Sequence, residues 1–262
     1  MTDSDSLPPI SLTTFACFFD LDGTLAEIEQ RPELVAIPGE IKQALCTIFT
    51  AAEGALALVS GRPLAELDRL SAPLRAPAAG VHGAERRDGQ GRIVRTELAP
   101  QLAAQLQREL TQAIAQLPGC HIEAKGMAFA LHYREAPQSQ RDILALAESV
   151  VSRYPELALQ PGKCVVELKP LGVSKGEAIK AFMKEAPFAG RTPLFIGDDL
   201  TDEAGFIQVN ALQGISIKVG PGETAAHYHL KDVAAVHRWI MSLVKQQENY
   251  SIKTKISVGE DL

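Results

Sequence analysis

The sequence predicts an α/β protein, a parallel sheet with helices on both faces, interrupted by a second, smaller α/β unit. Two observations carry this. Short apolar runs alternate with amphipathic helical patterns from residue 15 to 85 and again from 174 onward, the βαβ order of a parallel sheet. Between them, over roughly residues 100–168, the strand-like runs alternate apolar with polar, as in a sheet with one polar face.

The leading element is Phe15-Ala16-Cys17-Phe18-Phe19, an uncharged run that stops at Asp20-Leu21-Asp22-Gly23-Thr24. A short apolar run bounded by a turn signal fits a strand buried on both faces. Residues just beyond the carboxyl end of such a strand are where open α/β sheets place ligands. Glu27 to Pro38 reads as a loop, and Glu40 to Glu53 as an amphipathic helix with apolar positions at 41, 44, 45, 48, 49 and 52. Gly54 to Ser60 is a second buried strand, and Pro63 suits the first position of the helix reaching Leu70. Ala76 to Val81 is a third apolar segment, followed by His82, Gly83, Ala84 and Glu85.

After a turn at Asp88-Gly89-Gln90-Gly91 the texture changes. Leu98 to Leu117 reads as one helix. His121 to Lys125 and Ala128 to Arg134 alternate about Gly126 as a hairpin, with Glu123 and Lys125 on one face of the first strand and His132 and Arg134 on one face of the second. Ser139 to Tyr154 reads as a helix and Lys163 to Leu168 as a further alternating strand. The expected division is therefore residues 1–99 with 169–262 as one domain and 100–168 as an inserted lid.

The parallel pattern resumes where Ser174 and Glu177 form a capping box for a helix to about Glu185. Thr192 to Gly197 is a strand running into Asp198-Asp199-Leu200-Thr201-Asp202, Ile215 to Val219 another strand, and Asp232 to Gln246 a final helix. The His227-Tyr228-His229 run lacks a third metal ligand and is expected in a helix, and the last dozen residues are expected to be loose.

The protein holds 262 residues, 46% of them hydrophobic, enough for a sizeable core. A net charge of −6 with no basic stripe argues against nucleic-acid binding. No run approaches the roughly 18 apolar residues of a membrane span. Met1 to Thr14 is polar and has no apolar core of a signal peptide, and the four scattered cysteines read as buried thiols. A cytoplasmic monomer acting on a small molecule is expected.

Four features end strands or begin helices: Asp20 with Asp22, Ser60, Lys175, and the group Asp198, Asp199 and Asp202. Together they are the inventory of phosphoryl transfer, which needs an in-line nucleophile, positive charge and donors for the equatorial oxygens, and a metal to offset repulsion. Asp20 fits the nucleophile, forming an aspartyl-phosphate, and Asp22 a proton donor and acceptor. Ser60 fits a donor to phosphate and Lys175 the fixed charge. Asp198 fits a Mg²⁺ ligand beside Asp20 and the backbone carbonyl of Asp22, with Asp199 and Asp202 as further candidates. Arg62, next to Gly61, either approaches phosphate or pairs with a local acid. His82 and Glu85 either line the cleft or shape their loop.

Asp20-Leu21-Asp22-Gly23-Thr24 resembles the first motif of the haloacid dehalogenase superfamily. Ser60, Lys175 and Gly197-Asp198-Asp199-Leu200-Thr201-Asp202 match its second, third and fourth motifs in order. The segments Ala79 to Glu85, Glu123 to Gly126, His132 to Arg134 and Val165 to Glu167 look like the bacterial trehalose-6-phosphate phosphatases, a resemblance covering about 15 to 245. It implies a Rossmann-like core, an inserted α/β cap, Mg²⁺ dependence, hydrolysis of trehalose 6-phosphate in trehalose biosynthesis, and sugar recognition by Glu123, Lys125 and Glu167. His132, Arg134, Gly61 and Arg62 are further candidates for substrate contact. The alternatives are a phosphatase for another sugar phosphate or a non-catalytic sugar-phosphate sensor. Loss of Asp20, Asp22 or Lys175 would mark the sensor, and all three are present.

Overall fold

The computed structural model describes residues 7–29, 31–124, 126–162 and 164–259, with side chains described as far as residue 247 apart from that of Pro32. The protein separates into two compact units, Met1–Val94 with Ser174–Leu262, and Arg95–Val173.

The first segment supplies β1 (Phe15–Phe19), α1 (Gly39–Ala51), β2 (Leu56–Val59), α2 (Leu64–Ser71), β3 (Ala78–Gly80), β4 (Glu85–Arg87) and β5 (Ile93–Arg95). The middle segment holds α3 (Pro100–Ile114), β6 (His121–Ala124), β7 (Phe129–His132), α4 (Gln140–Arg153), β8 (Leu157–Gly162) and β9 (Val165–Pro170). The polypeptide then returns through α5 (Lys175–Phe182), β10 (Thr192–Gly197), α6 (Glu203–Ala211), β11 (Ile215–Val219), β12 (Tyr228–Leu230) and α7 (Val233–Gly259).

The larger unit is organised on an eight-stranded sheet in the order β12-β11-β10-β1-β2-β3-β4-β5. Strand β1 pairs in parallel with β10 on one side and β2 on the other, while β4 runs antiparallel to β3. Ala16 to Phe19 are wholly buried, because successive side chains point to opposite faces and both faces are covered. Phe18 meets Phe182 of α5 and Phe188 at ring separations of 5.9 and 5.4 Å. Phe19, on the other face, meets Trp239 of α7 at 6.4 Å. One strand thus carries two apolar layers, and it is paired on both sides.

The smaller unit is a four-stranded antiparallel sheet, β6-β7-β9-β8. Leu106, Leu110 and Ile114 of α3 and Ile143, Ala147 and Val150 of α4 pack with Phe129, Leu131, Val166 and Leu168 of the sheet. The alternate residues of the same strands point to the opposite face.

The sequence expectations differ from the structure in several places. Helix α3 is Pro100–Ile114 rather than 98–117, and α5 stops at Phe182. Strands β4, β5 and β8 are not among the expected elements; β4 and β5 have three residues each, too few to display a period. His227-Tyr228-His229 is not helical: Tyr228–Leu230 forms β12, in parallel register with β11. A short edge strand is fixed by its neighbour rather than by its own residues. The final helix continues to Gly259, since each residue added to a formed helix gains a hydrogen bond at little nucleation cost.

Candidate active site

The carboxyl end of β1 opens into a compact turn. Asp20 N–H donates to Ile196 O at 2.9 Å, and Gly23 N–H, Leu25 N–H and Ala26 N–H close the turn on Ala26 O and Leu21 O. Gly23 has φ +75°, and a Cβ there would lie 2.1 Å from Asp198 Oδ2. The Asp198 carboxylate therefore rests against the turn in space that only glycine leaves open. Gly23→Ala is expected to lower turnover at this site at least about tenfold through a displacement of this order; wild-type activity in the folded variant would show that the close approach is dispensable.

Lys175 is the first residue of α5, and Ser174 caps that helix by accepting from Glu177 N–H at 3.1 Å. Lys175 Nζ donates to Asp20 Oδ1 at 2.8 Å and to Asp202 Oδ1 at 2.7 Å, all three groups being buried. Asp202 Oδ2 in turn accepts the backbone N–H groups of Asp198 and Asp199 at 2.9 and 3.0 Å. Oxygens of Asp20, Asp198 and Asp202 all lie within 4.8 Å of one another.

Three carboxylates crowd the Lys175 ammonium, with the Lys218 ammonium acting on Asp198 from the side, and negative charge is in excess. Burial pushes the Asp20 carboxyl well above the usual range, the Asp202 charge adds to this, and Lys175 only partly offsets it. Burial, then Asp202 and Asp199, push Asp198 up to about 6, and burial also raises Asp202. Burial opposes the Lys175 charge, but Asp20 and Asp202 outweigh it and hold its pKa above the ordinary value. An all-oxygen donor set with negative charge in excess fits a hard divalent cation such as Mg²⁺.

Not every acid in the predicted set joins this cluster. Burial would raise Asp199, but Lys175 and the Thr201 donors hold it below the usual range. Its Oδ1 accepts from Thr201 N–H and Oγ1–H at 2.7 and 2.6 Å, and with Asp202 it completes a capping box. Its Oδ1 is thereby committed to the helical turn. The Asp22 carboxylate is likewise turned away, accepting from Arg62 Nε and Nη2 at 2.7 Å each, while Arg62 Nη1 donates to Glu66 at 2.8 Å. Of the two roles open to Arg62, pairing with a local acid is the one the structure displays.

Ser60 is buried at the end of β2 and its Oγ accepts Arg62 N–H at 3.2 Å. A Cβ on Gly61 would stand 2.7 Å from the His82 ring, so the bare backbone there admits the imidazole. His82 itself has φ 56°. Glu85 Oε2 accepts Leu64 N–H at 3.0 Å, at the start of a helix whose N-cap, Pro63, has no side-chain acceptor. Glu85 thus shapes its loop and caps α2.

In the smaller unit, Glu123, Ala130, Glu167 and Gln160 stand opposite one another across β6, β7, β9 and β8, on the face away from the helices. His132 lies on the same face, with Nε2 3.0 Å from Glu123 Oε2 and its ring stacked on His121 at 4.6 Å. Glu123 is half exposed, whereas Glu167 is buried. Arg134 is not on this face: β7 ends at His132 and Arg134 sits in an exposed turn. Lys125 lies outside the described residues. Sequence reasoning misses Lys169, buried two residues beyond Glu167 and donating to Gln160 Oε1. The i, i+2 spacing is the signal that points to it. It also misses Lys218, a lone charge in the apolar strand β11.

The arrangement of elements recurs in solved structures. A haloacid dehalogenase-like hydrolase from Bacteroides thetaiotaomicron superposes with TM-score 0.64 at 14% identity, over 88% of this protein and 99% of that one. The C-terminal domain of C. albicans trehalose-6-phosphate phosphatase reaches 0.75 at 23% identity, over 89% and 92%. The fold is that of the haloacid dehalogenase-like hydrolases.

Within that class the family is defined by sequence. The family model described as Trehalose-phosphatase matches residues 18–234, and the protein belongs to this family. Trehalose-6-phosphate phosphatase of Escherichia coli (strain K12) is 52% identical over 253 residues, 95% of each sequence. A probable trehalose-phosphate phosphatase of Sinorhizobium fredii is 44% identical over 211 residues, 80% of this sequence and 79% of that one.

Proposed function

We propose that the protein is a Mg²⁺-dependent phosphatase that hydrolyses trehalose 6-phosphate to trehalose and inorganic phosphate. The observation that carries the chemistry is the Lys175 ammonium held between Asp20 and Asp202 at the end of β1, and family membership points to the sugar.

A carboxylate oxygen of Asp20 attacks phosphorus, and the bond from phosphorus to the sugar oxygen breaks. The Asp22 carboxyl gives its proton to the departing alkoxide, which a carboxyl can do for this poor leaving group. Asp22 then takes a proton from water as the water oxygen attacks phosphorus, the bond to Asp20 breaks, and phosphate leaves. The Arg62 fork occupies both Asp22 oxygens, so it opens before proton transfer, and a phosphate dianion is a competing partner for the guanidinium. Ser60 Oγ–H and the backbone at Gly61 donate to phosphate oxygens, and Lys175 opposes repulsion between Asp20 and the dianion. Mg²⁺, when bound, adds Lewis-acid charge at the phosphoryl oxygens. Asp20 and Asp198 would hold it, with Asp202 adjacent, and the contribution of Asp22 falls to its backbone carbonyl.

The Arg95–Val173 unit is the cap in this reading, with Glu123, Glu167, His132 and Lys125 binding sugar hydroxyls. Cys17, Cys46, Cys120 and Cys164 are all unbridged, which suits a reducing, cytoplasmic setting.

The test is phosphate release from trehalose 6-phosphate, sucrose 6-phosphate and glucose 6-phosphate with and without Mg²⁺. Mg²⁺-dependent release led by trehalose 6-phosphate is the expected result. Equal rates on all three would overturn the substrate, and full activity in excess chelator would overturn the metal.

A further inference from the structure

Lys218 is a charged residue in a strand otherwise made of Ile215, Ser216, Ile217 and Val219, and it is 7% exposed. Among the described residues no carboxylate lies within ion-pairing distance of its ammonium. Nζ instead donates to two backbone carbonyls, those of Asp198 on the neighbouring strand's exit and of Val219 at 2.9 Å. Taking an ammonium out of water is expensive. A buried lysine satisfied by carbonyls alone therefore calls for an explanation beyond packing, which valine would provide in such a strand.

The explanation lies in what the other atoms of Asp198 do. Its backbone N–H is held by Asp202 Oδ2 at 2.9 Å, and its backbone carbonyl is held by Lys218. Both hydrogen-bonding groups of the Asp198 backbone are thus fixed, one on each side of Cα. The carboxylate is left as the only mobile part, and it lies against Gly23, within ligand distance of Asp20 and Asp202. Asp202 is in turn anchored by Lys175. The loop between β10 and α6 is consequently pinned by two buried lysines, one from α5 and one from β11. Lys175 touches the reacting carboxylate; the hydrogen bond of Lys218 goes to the peptide of Asp198, and its charge also favours the ionised Asp198 carboxylate.

We propose that Lys218 is a positioning residue that orients the Asp198 carboxylate for Mg²⁺, an inference that rests on the metal reading given above. Groups that orient a ligand from behind change metal affinity by about 10–100-fold when removed.

The experiment titrates Mg²⁺ into the whole protein by calorimetry, in the absence of substrate. In Lys218→Met, which keeps the side-chain length and removes the donors, the Mg²⁺ dissociation constant is expected to rise at least about tenfold. The melting temperature without Mg²⁺ is expected to change little, because replacing a buried charge by an apolar isostere is often neutral. The Mg²⁺ concentration for half-maximal phosphate release is expected to rise in parallel, with a smaller effect on kcat at saturating Mg²⁺. Lys218→Gln, which retains a shorter N–H donor group, is expected to fall between the wild type and the methionine variant, and it carries the same measurement if the methionine variant does not fold. An unchanged dissociation constant in a folded variant overturns the assignment. So does tighter binding, which would mean that the ammonium acts on the cation only by repulsion. If the wild-type protein takes up no Mg²⁺, the metal reading itself fails, and the proposal fails with it.

Discussion

Turnover of trehalose 6-phosphate is expected to fall by at least about 10⁴-fold in Asp20→Asn, the scale on which loss of a covalent nucleophile acts. The amide has the shape of the carboxylate but no charge to attack phosphorus. Folding is expected to survive. Lys175 keeps Asp202 as a partner at 2.7 Å, and the substitution removes one of three mutually repelling carboxylates. The Asp20 carboxyl is pushed up by burial and by Asp202, so its negative form destabilises the folded state. A melting temperature equal to or above that of the wild type, together with lost phosphate release, is the paired result. Normal turnover would sink the nucleophile assignment. A large drop in melting temperature would make Asp20 a structural residue.

Glu123→Ala is expected to lower kcat/KM for trehalose 6-phosphate by about 10–100-fold, the value of one or two hydrogen bonds made by a charged group. Activity on p-nitrophenyl phosphate is expected to stay within about threefold, because a small aryl ester offers no hydroxyls to the cap and a lost hydrogen bond can be felt only by a substrate that makes it. Glu123 can be removed without opening a core: it is half exposed and points away from the α3 and α4 layer. Its hydrogen-bond partner, His132, loses a contact at 3.0 Å. Equal losses on both substrates would place Glu123 in the framework of the smaller unit instead.

What can be read from the sequence is whatever is encoded locally. The run Phe15–Phe19 is apolar at every position because both faces are buried, and the turn after it needs Gly23. Lys175 is legible through Ser174 and Glu177, whose capping signal spans four residues. Contacts between distant segments are not. Nothing near Arg62 reveals that its fork closes on Asp22, 40 residues earlier, because either acidic side chains or phosphate satisfy a guanidinium. Asp199 resembles a ligand by composition, and only the hydroxyl of Thr201 two residues on shows where its oxygen goes. Arg134 follows the alternation of β7 by one step too many, since a period of two carries no information about where a strand ends. Tyr228–Leu230 is a strand because β11 offers an edge, a property of the neighbour and not of the segment.

The place of β1 in its sheet has a consequence for how the protein is made. One flank of β1 is filled by β2, which leaves the ribosome soon afterwards; the other waits for β10, beginning at Thr192. At roughly 5–20 residues per second, that edge stays open for about 9–35 s during synthesis. An unpaired apolar strand is an aggregation hazard for as long as it lasts. The residues translated during this interval include β6 to β9, which among the described residues form a sheet of their own. The nascent polypeptide therefore carries the whole of the second compact unit while β1 is still half-paired.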